Sequence, residues 1–302
     1  MNNNRYWGLI TGVAAISFSP LAVKMVSFTP SVSAFYRSAY AALFFLMFSL
    51  ARFKSQFGVK HTKWLWPSII AGVFLGIDLV FWHKTIIYLG AGPATFLGNS
   101  QIIFVTLFAA VVFRECIPKA FYFIVAIVLS GLYMLMPPAI VSVTRNMGYL
   151  LGIVVGITYA GLLIGLRYAK MLSRDDYPEL LSLTVVFLAS SIYIALYCIG
   201  IDHDALFVGG VKSHVIMAIT ALMCQTIGWY MINTNITSIP AHEGSLILVL
   251  QPVLATVWGI IFFREPCGLV QTAGIVLTIA GIVIYQTRYA QDETCKHVVF
   301  EE

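Results

Sequence analysis

The chain has 302 residues, of which 60% are apolar types and only 10% carry charge, at a mean hydropathy of +0.89. A soluble domain carries about 25% charge, so a water-soluble fold is excluded and the bilayer is the natural solvent. The net charge of +5 is spread over short loops, which argues against nucleic-acid binding and for loops that set orientation.

A helix needs about 20 apolar residues to cross the hydrocarbon core. That ruler predicts ten spans, near 6–24, 31–51, 64–87, 92–113, 118–137, 147–168, 178–199, 213–235, 241–263 and 268–287. The first follows Arg5 as a signal peptide would, but further apolar runs come after it, so it is read as a retained helix. Between the spans lie breakers such as Pro30, Pro118, Pro137-Pro138, Pro240 and Pro266. With the N-terminus in the cytoplasm, twelve basic residues fall on the inner side, among them Arg52, Arg114, Arg167, Arg174 and Arg288. Only four, Lys24, Arg145, Lys212 and Arg264, fall outside. The positive-inside rule therefore puts both termini in the cytoplasm. The five cysteines show no CxxC spacing and are expected to be small apolar residues, neither a disulfide framework nor a metal site. Residues 289–302 read as a polar cytoplasmic tail.

The chain repeats itself at a spacing of 150 residues: QIIFVTLFAAVVFRE at 101–115 falls on QPVLATVWGIIFFRE at 251–265, and Gly131 falls on Gly281. A smaller echo joins GLITG at 8–12 to GIVVG at 152–156. The repeat unit is five helices. Five is odd, so the second copy enters the membrane from the opposite side, the inverted repeat of many secondary transporters. The expected fold is an all-α membrane protein of ten transmembrane helices, with one repeat over 1–140 and its inverted copy over 141–288.

Two five-helix repeats that end in Phe-Arg-Glu resemble the drug/metabolite transporter superfamily, in its ten-helix EamA-type branch. Pro252 matches the proline of that pattern in the second half, whereas the first half has Ile102 there. AFYRSAYA at 34–41 resembles the family's second-helix arginine. The resemblance implies a central cavity built by the third, fourth, eighth and ninth helices, and says almost nothing about substrate.

Charge inside the bilayer costs about 2.5–3.5 kcal/mol at a helix centre, so intramembrane polar residues are the site candidates. Asp78 lies deep in the third span, with Trp82 one turn later on the same face. That face suits recognition of a cationic group or proton coupling; the alternatives are a structural hydrogen bond or pairing with Arg37 or Lys84. Arg37 either snorkels to the interface or holds an anionic group in the cavity. His83 and Lys84 are expected at the interface. Asn99, Gln101 and Gln251 serve as interhelical glue or as cavity lining. Gln225, Trp229 and Asn233 fall four apart on one stripe, which the resemblance turns toward Asp78. Tyr159 and Ser17 are weaker candidates. Glu243 either caps the ninth span or gates the inner mouth. The two Arg-Glu pairs, Arg114-Glu115 and Arg264-Glu265, are expected to anchor span ends and close loops.

These residues favour a secondary transporter of a small organic metabolite, such as an amino acid or a related amphipathic solute, working by alternating access with Asp78, Arg37 and Glu243 as coupling or gating candidates. Proton coupling and exchange both remain open. An uptake carrier for S-adenosylmethionine or a nucleotide-type metabolite is the alternative, and a non-transporting membrane scaffold the second. No catalytic constellation, cofactor motif or metal-ligand spacing is present, so an enzyme is not expected. The expected surroundings are a bacterial inner membrane. The expected partners are the lipid bilayer, a small-molecule substrate and, if coupled, protons. A monomer suffices for this fold, and oligomeric state is left open.

Overall fold

The computed structural model describes residues 3–23, 25–58, 61–89, 91–135, 145–173, 176–206, 208–264 and 266–288. The tail at 289–302, with Pro137-Pro138, Lys24, Arg174 and Glu265, lies outside them. Among the described residues there is no strand. The first span is α1 (Asn3–Ile16) followed by the short α2 (Ser19–Val23), and the second is α3 (Pro30–Ala51). A short α4 (Phe53–Phe57) leads to the third, α5 (Leu65–Leu89). The fourth is α6 (Ala91–Gly98) plus α7 (Gln101–Val112), and the fifth α8 (Lys119–Met134). The second half follows as α9 (Arg145–Ser173), α10 (Glu179–Tyr197), α11 (Val211–Thr220) with α12 (Trp229–Ile236), α13 (Ala241–Leu248) with α14 (Leu250–Phe263), and α15 (Leu269–Arg288). Eight of these spans are long and apolar enough to cross a membrane unaided by other criteria; the first span and α8 complete the ten.

Local chemistry sets the ends. Thr29 accepts a hydrogen bond from the Val32 N–H and Pro30 takes the first turn of α3. Pro118, Pro178 and Pro240 each precede a helix, where a missing N–H costs nothing. The fourth and ninth spans both break, at Gly98–Gln101 and at Leu248–Leu250. Tightened turns mark both breaks, Ile102 N–H to the Asn99 carbonyl and Val249 N–H to the Leu246 carbonyl. Only the second break has its proline, so Ile102 does not straighten the first half. The eighth span carries a π-helical stretch at Ala221–Gly228 between α11 and α12.

The packing repeats the internal symmetry. The second span packs on the seventh, the fourth on the ninth and the fifth on the tenth, each pair joining equivalent helices. The remaining contacts come in images: first on eighth and sixth on third, second on eighth and seventh on third. The fifth–tenth contact shows it at atomic scale. A Cβ on Gly131 would strike Thr278, and one on Gly281 would meet Val128 at 2.7 Å. Residues 131 and 281 are equivalent, as are 128 and 278, so the contact is its own image. Arg114 and Arg264, also equivalent, share a left-handed backbone with φ of 51° and 52°, which closes the fourth and ninth spans alike. The outer surface is apolar, with Leu107, Phe123, Leu196 and Leu269 exposed, as lipid contact requires.

The start of α1 and the end of α15 lie at one face, since Tyr6 reaches Glu243 and Tyr285 reaches the adjacent His242. We refer to this as the terminal face and to the other as the distal face.

Candidate functional site

A cavity with about 730 Å³ of empty space, part of it open to the outside, lies between the broken helices in the distal half. Asp78, Trp82, Asn99, Trp229, Gln251 and Arg37 all border it. Arg37 sits in the first two turns of α3 but does not reach out to the interface: it is 4% exposed, and its Nη1 donates to Ser19 Oγ at 2.6 Å. Its guanidinium carbon lies 6.0 Å from the Trp82 ring centre, within cation–π range. Asp78 faces the same space, near enough for the two charges to act on each other. Among the described residues, however, Arg37 and Asp78 make no ion pair within 4.0 Å. Asp78 Oδ1 and Arg37 Nε are enclosed without a hydrogen-bond partner. Buried polar atoms are rarely left so, and an orphaned donor and an orphaned acceptor beside one cavity are what a bound solute of mixed charge would satisfy.

The walls are aromatic. Tyr159 meets Trp229 edge-on with ring centres 6.2 Å apart, and its hydroxyl points to Gln251 Oε1 at 3.5 Å. Gln225 joins Trp229 on the wall, while Asn233 does not: it lies one turn further along α12, past the end of the cavity. Asn233 is fully buried with both amide atoms unpartnered. Asn99 donates to the Thr95 carbonyl at 2.8 Å, a bond inside its own helix. Gln101 is buried below the cavity and donates to the Ser245 carbonyl at 3.1 Å. Ser19, the Arg37 partner, was missed by sequence reasoning; its signal was Pro20, which interrupts a span taken as continuous. Ser17 accepts a bond from the Trp258 indole at 2.8 Å, beside the Phe18–Trp258 stack.

Two expectations are corrected. His83 is not interfacial but buried, its Nδ1 2.6 Å from the Leu79 carbonyl, because the third span runs on to Leu89. Lys84 donates to Asp202 at 2.7 Å and to the Tyr197 hydroxyl, drawing that loop aspartate to the bundle. Cys116 is disulfide-bonded, unlike the expected small apolar cysteine, since it follows the fourth span in a loop and not in an apolar run.

The terminal half is closed by a polar latch. Glu115 accepts from Arg167 Nη2 at 2.7 Å and from the Ala241 N–H at 3.1 and 3.0 Å to its two oxygens. His242 Nδ1 lies 3.2 Å from the same carboxylate. A carboxylate only accepts, so Nδ1 carries the proton and Nε2, 3.1 Å from the Tyr285 hydroxyl, accepts from it when the ring is neutral. Arg167 also donates to the Ile239 carbonyl at 2.7 Å. Burial alone would raise the Glu115 pKa, but the His242 bond, the Arg167 charge and the Ala241 N–H outweigh it and hold it below the usual carboxylate range. Glu115 thus caps the first turn of α13. Glu243, the expected cap, instead accepts from the Tyr6 hydroxyl at 2.8 Å.

An inverted helical repeat around a charged, aromatic cavity defines a polytopic membrane protein of the transporter class. The chain belongs to the EamA-like transporter family, whose profile matches residues 5–136 and again 146–287. It is 25% identical over 293 residues to the pseudopaline exporter CntI of Pseudomonas aeruginosa (strain UCBPP-PA14), covering 93% of this chain and 96% of that protein. A crystal structure described only as that of a protein superposes with a TM-score of 0.77 at 15% identity, over 94% of this chain and 96% of the other; that likeness concerns the fold alone. Family membership assigns membrane transport of a small molecule.

Proposed function

We propose that the protein is a secondary transporter that moves a small amphipathic metabolite carrying both charge signs, by alternating access around the distal cavity. The observation that carries this reading is the pair of enclosed, unpartnered atoms, Arg37 Nε and Asp78 Oδ1, on one cavity walled by Trp82, Tyr159 and Trp229. A carboxylate or phosphate of the solute would meet Arg37, an ammonium group Asp78, and an apolar body the aromatic faces.

The basic residues gathered at the terminal face support a cytoplasmic position for it. The distal cavity then faces outward, and the latch closes the cytoplasmic side. Export is the favoured direction because the CntI relative is an exporter. The test is a thermal-shift panel on the purified protein in detergent, covering amino acids, nucleosides, S-adenosylmethionine, sugars, organic acids and cationic drugs, followed by counterflow in liposomes. A ligand that binds the native state raises its melting temperature. A shift confined to solutes with both charge signs, lost in Asp78→Asn and in Arg37→Gln, is expected. Shifts that survive both substitutions, or counterflow of neutral sugars alone, would overturn the reading.

A further inference from the structure

The terminal half holds a much smaller void, with room for about one water molecule, bordered by Val105, Leu163, Ile164, Arg167, Ile236 and Ala241. The internal repeat explains where it lies. GLITG at 8–12 and GIVVG at 152–156 relate the first span to the sixth by 144 positions, and the shared glutamine relates the fourth to the ninth by 150. Under these shifts Ser19, Pro20 and Ala255 of the main cavity become Leu163, Ile164 and Val105 of the void. Three of the six residues that border the void are thus images of cavity residues.

Two further observations belong with it. Gln251 borders the main cavity, and its image is Gln101. Gln101 is fully buried, its Nε2 engaged by the Ser245 carbonyl and its Oε1 without a partner. An orphaned amide oxygen is unfavourable where it stands and is relieved in any state that opens the space beside it. Arg167, which borders the void, is held by Glu115. The distal half is tied differently, by the Lys84–Asp202 pair. The same shifts carry Arg167 to Val23 and His242 to Gly92, so Glu265 finds neither an arginine nor a histidine at the equivalent places.

We propose that this void is the solute passage of the opposite, terminal-open state, that Gln101 contacts the solute there, and that the Glu115–Arg167 latch keeps it shut. The proposal rests on the alternating-access reading above. It also assigns chemistry. A shift of 150 carries Arg37 to Phe187 and Asp78 to Gly228, so the charged pair of the distal cavity has no copy in the terminal half, where Arg167 is the charged residue at the void.

The experiment places a cysteine at Val105→Cys or at Ala255→Cys in the otherwise unaltered protein, reconstituted in liposomes. A polar maleimide is supplied on both sides, and labelling is read peptide by peptide by mass spectrometry, so the native cysteines stay. The 255 site is expected to label readily and the 105 site slowly. Adding Glu115→Gln is expected to speed labelling at 105 by about tenfold or more, the factor that one charged hydrogen bond places on an equilibrium, and to slow it at 255. The pair Glu115→Gln with Arg167→Met, which leaves no buried charge unpaired, is expected to act alike and covers failure of the single variant to fold. Gln101→Ala is expected to reduce counterflow while leaving the 255 labelling rate unchanged. A 105 site as unreactive in both latch variants as in the parent, beside a reactive 255 site, would overturn the proposal. Labelling needs no solute, so switching between sites in a protein that shows no flux would sink the transport reading and leave the passage standing.

Discussion

Glu115→Ala is the substitution from which the structure predicts the largest loss of stability outside the apolar core. The carboxylate is almost wholly buried, with its side chain 2% exposed and that of Arg167 10%. Removing it strands the Arg167 guanidinium, the Ala241 N–H and His242 Nδ1 together. Breaking one partner of a buried ion pair costs about 3–5 kcal/mol. At about 2 °C per kcal/mol for a chain of this length, the melting temperature should fall by about 6–10 °C. The assay is intrinsic-fluorescence melting in detergent, with Arg114→Gln as the neighbouring control. Arg114 is exposed and shares the same turn, so its loss should move the midpoint by no more than about 1 °C. A fall for Glu115→Ala as small as the control's would refute the view that this carboxylate holds the terminal half closed.

The same group predicts a pH dependence. The Glu115 pKa is lowered from its ordinary value of 4.5, so its stabilisation is complete above about pH 4.5 and fades as the pH drops toward its folded value. Melting curves of the parent should therefore converge on those of Glu115→Gln in acid and separate above pH 5; parallel curves throughout would refute it. Asp78→Asn should fold normally yet raise the half-saturating solute concentration in counterflow about tenfold or more, and pH-driven transport left intact would remove Asp78 as the coupling site. Gly281→Leu should cost about 1–3 kcal/mol and lower the melting temperature, because its Cβ meets Val128 at 2.7 Å; a neutral effect would contradict the close packing of α8 on α15.

The fold was legible because the membrane imposes two rules that a sequence displays openly: span length, and repeated polar punctuation such as Gln101 with Gln251 and Phe-Arg-Glu at both span ends. The cavity was partly legible. Asp78, Arg37 and Trp82 stand out as costly or bulky groups on one face, and the structure sets them around one space. Asn233 and Gln101 look the same in sequence but lie elsewhere, since a spacing of four places Asn233 on the Trp229 face of α12 without saying how far the cavity extends along it, and Gln101 lies beyond the break in its span. The latch was hidden for a different reason. Arg167 reads as a loop cation near the end of a span, and only the length of α9, which continues to Ser173, shows that it is buried.

The division between shared and unshared residues is itself informative. A sequence that repeated perfectly in inverted orientation would give two states of equal energy, one open at each face. Here the backbone follows the repeat closely, down to matching φ angles at Arg114 and Arg264. The charged groups of the cavity and the partners of the latch do not: Arg37 and Asp78 occur only in the first half, and the Arg167 and His242 partners of Glu115 only in the second. In the alternating-access cycle we propose, the repeated residues make two states available, and the unrepeated ones choose between them. A latch contributing about 3 kcal/mol biases a two-state equilibrium by more than a hundredfold. To cancel that bias, a solute must bind the terminal-open state better by the same amount, and to reverse it by twice as much, or the latch must be neutralised. Selectivity and gating then share one origin, because only a solute that makes up the energy of the broken Glu115 contacts can open its own way in.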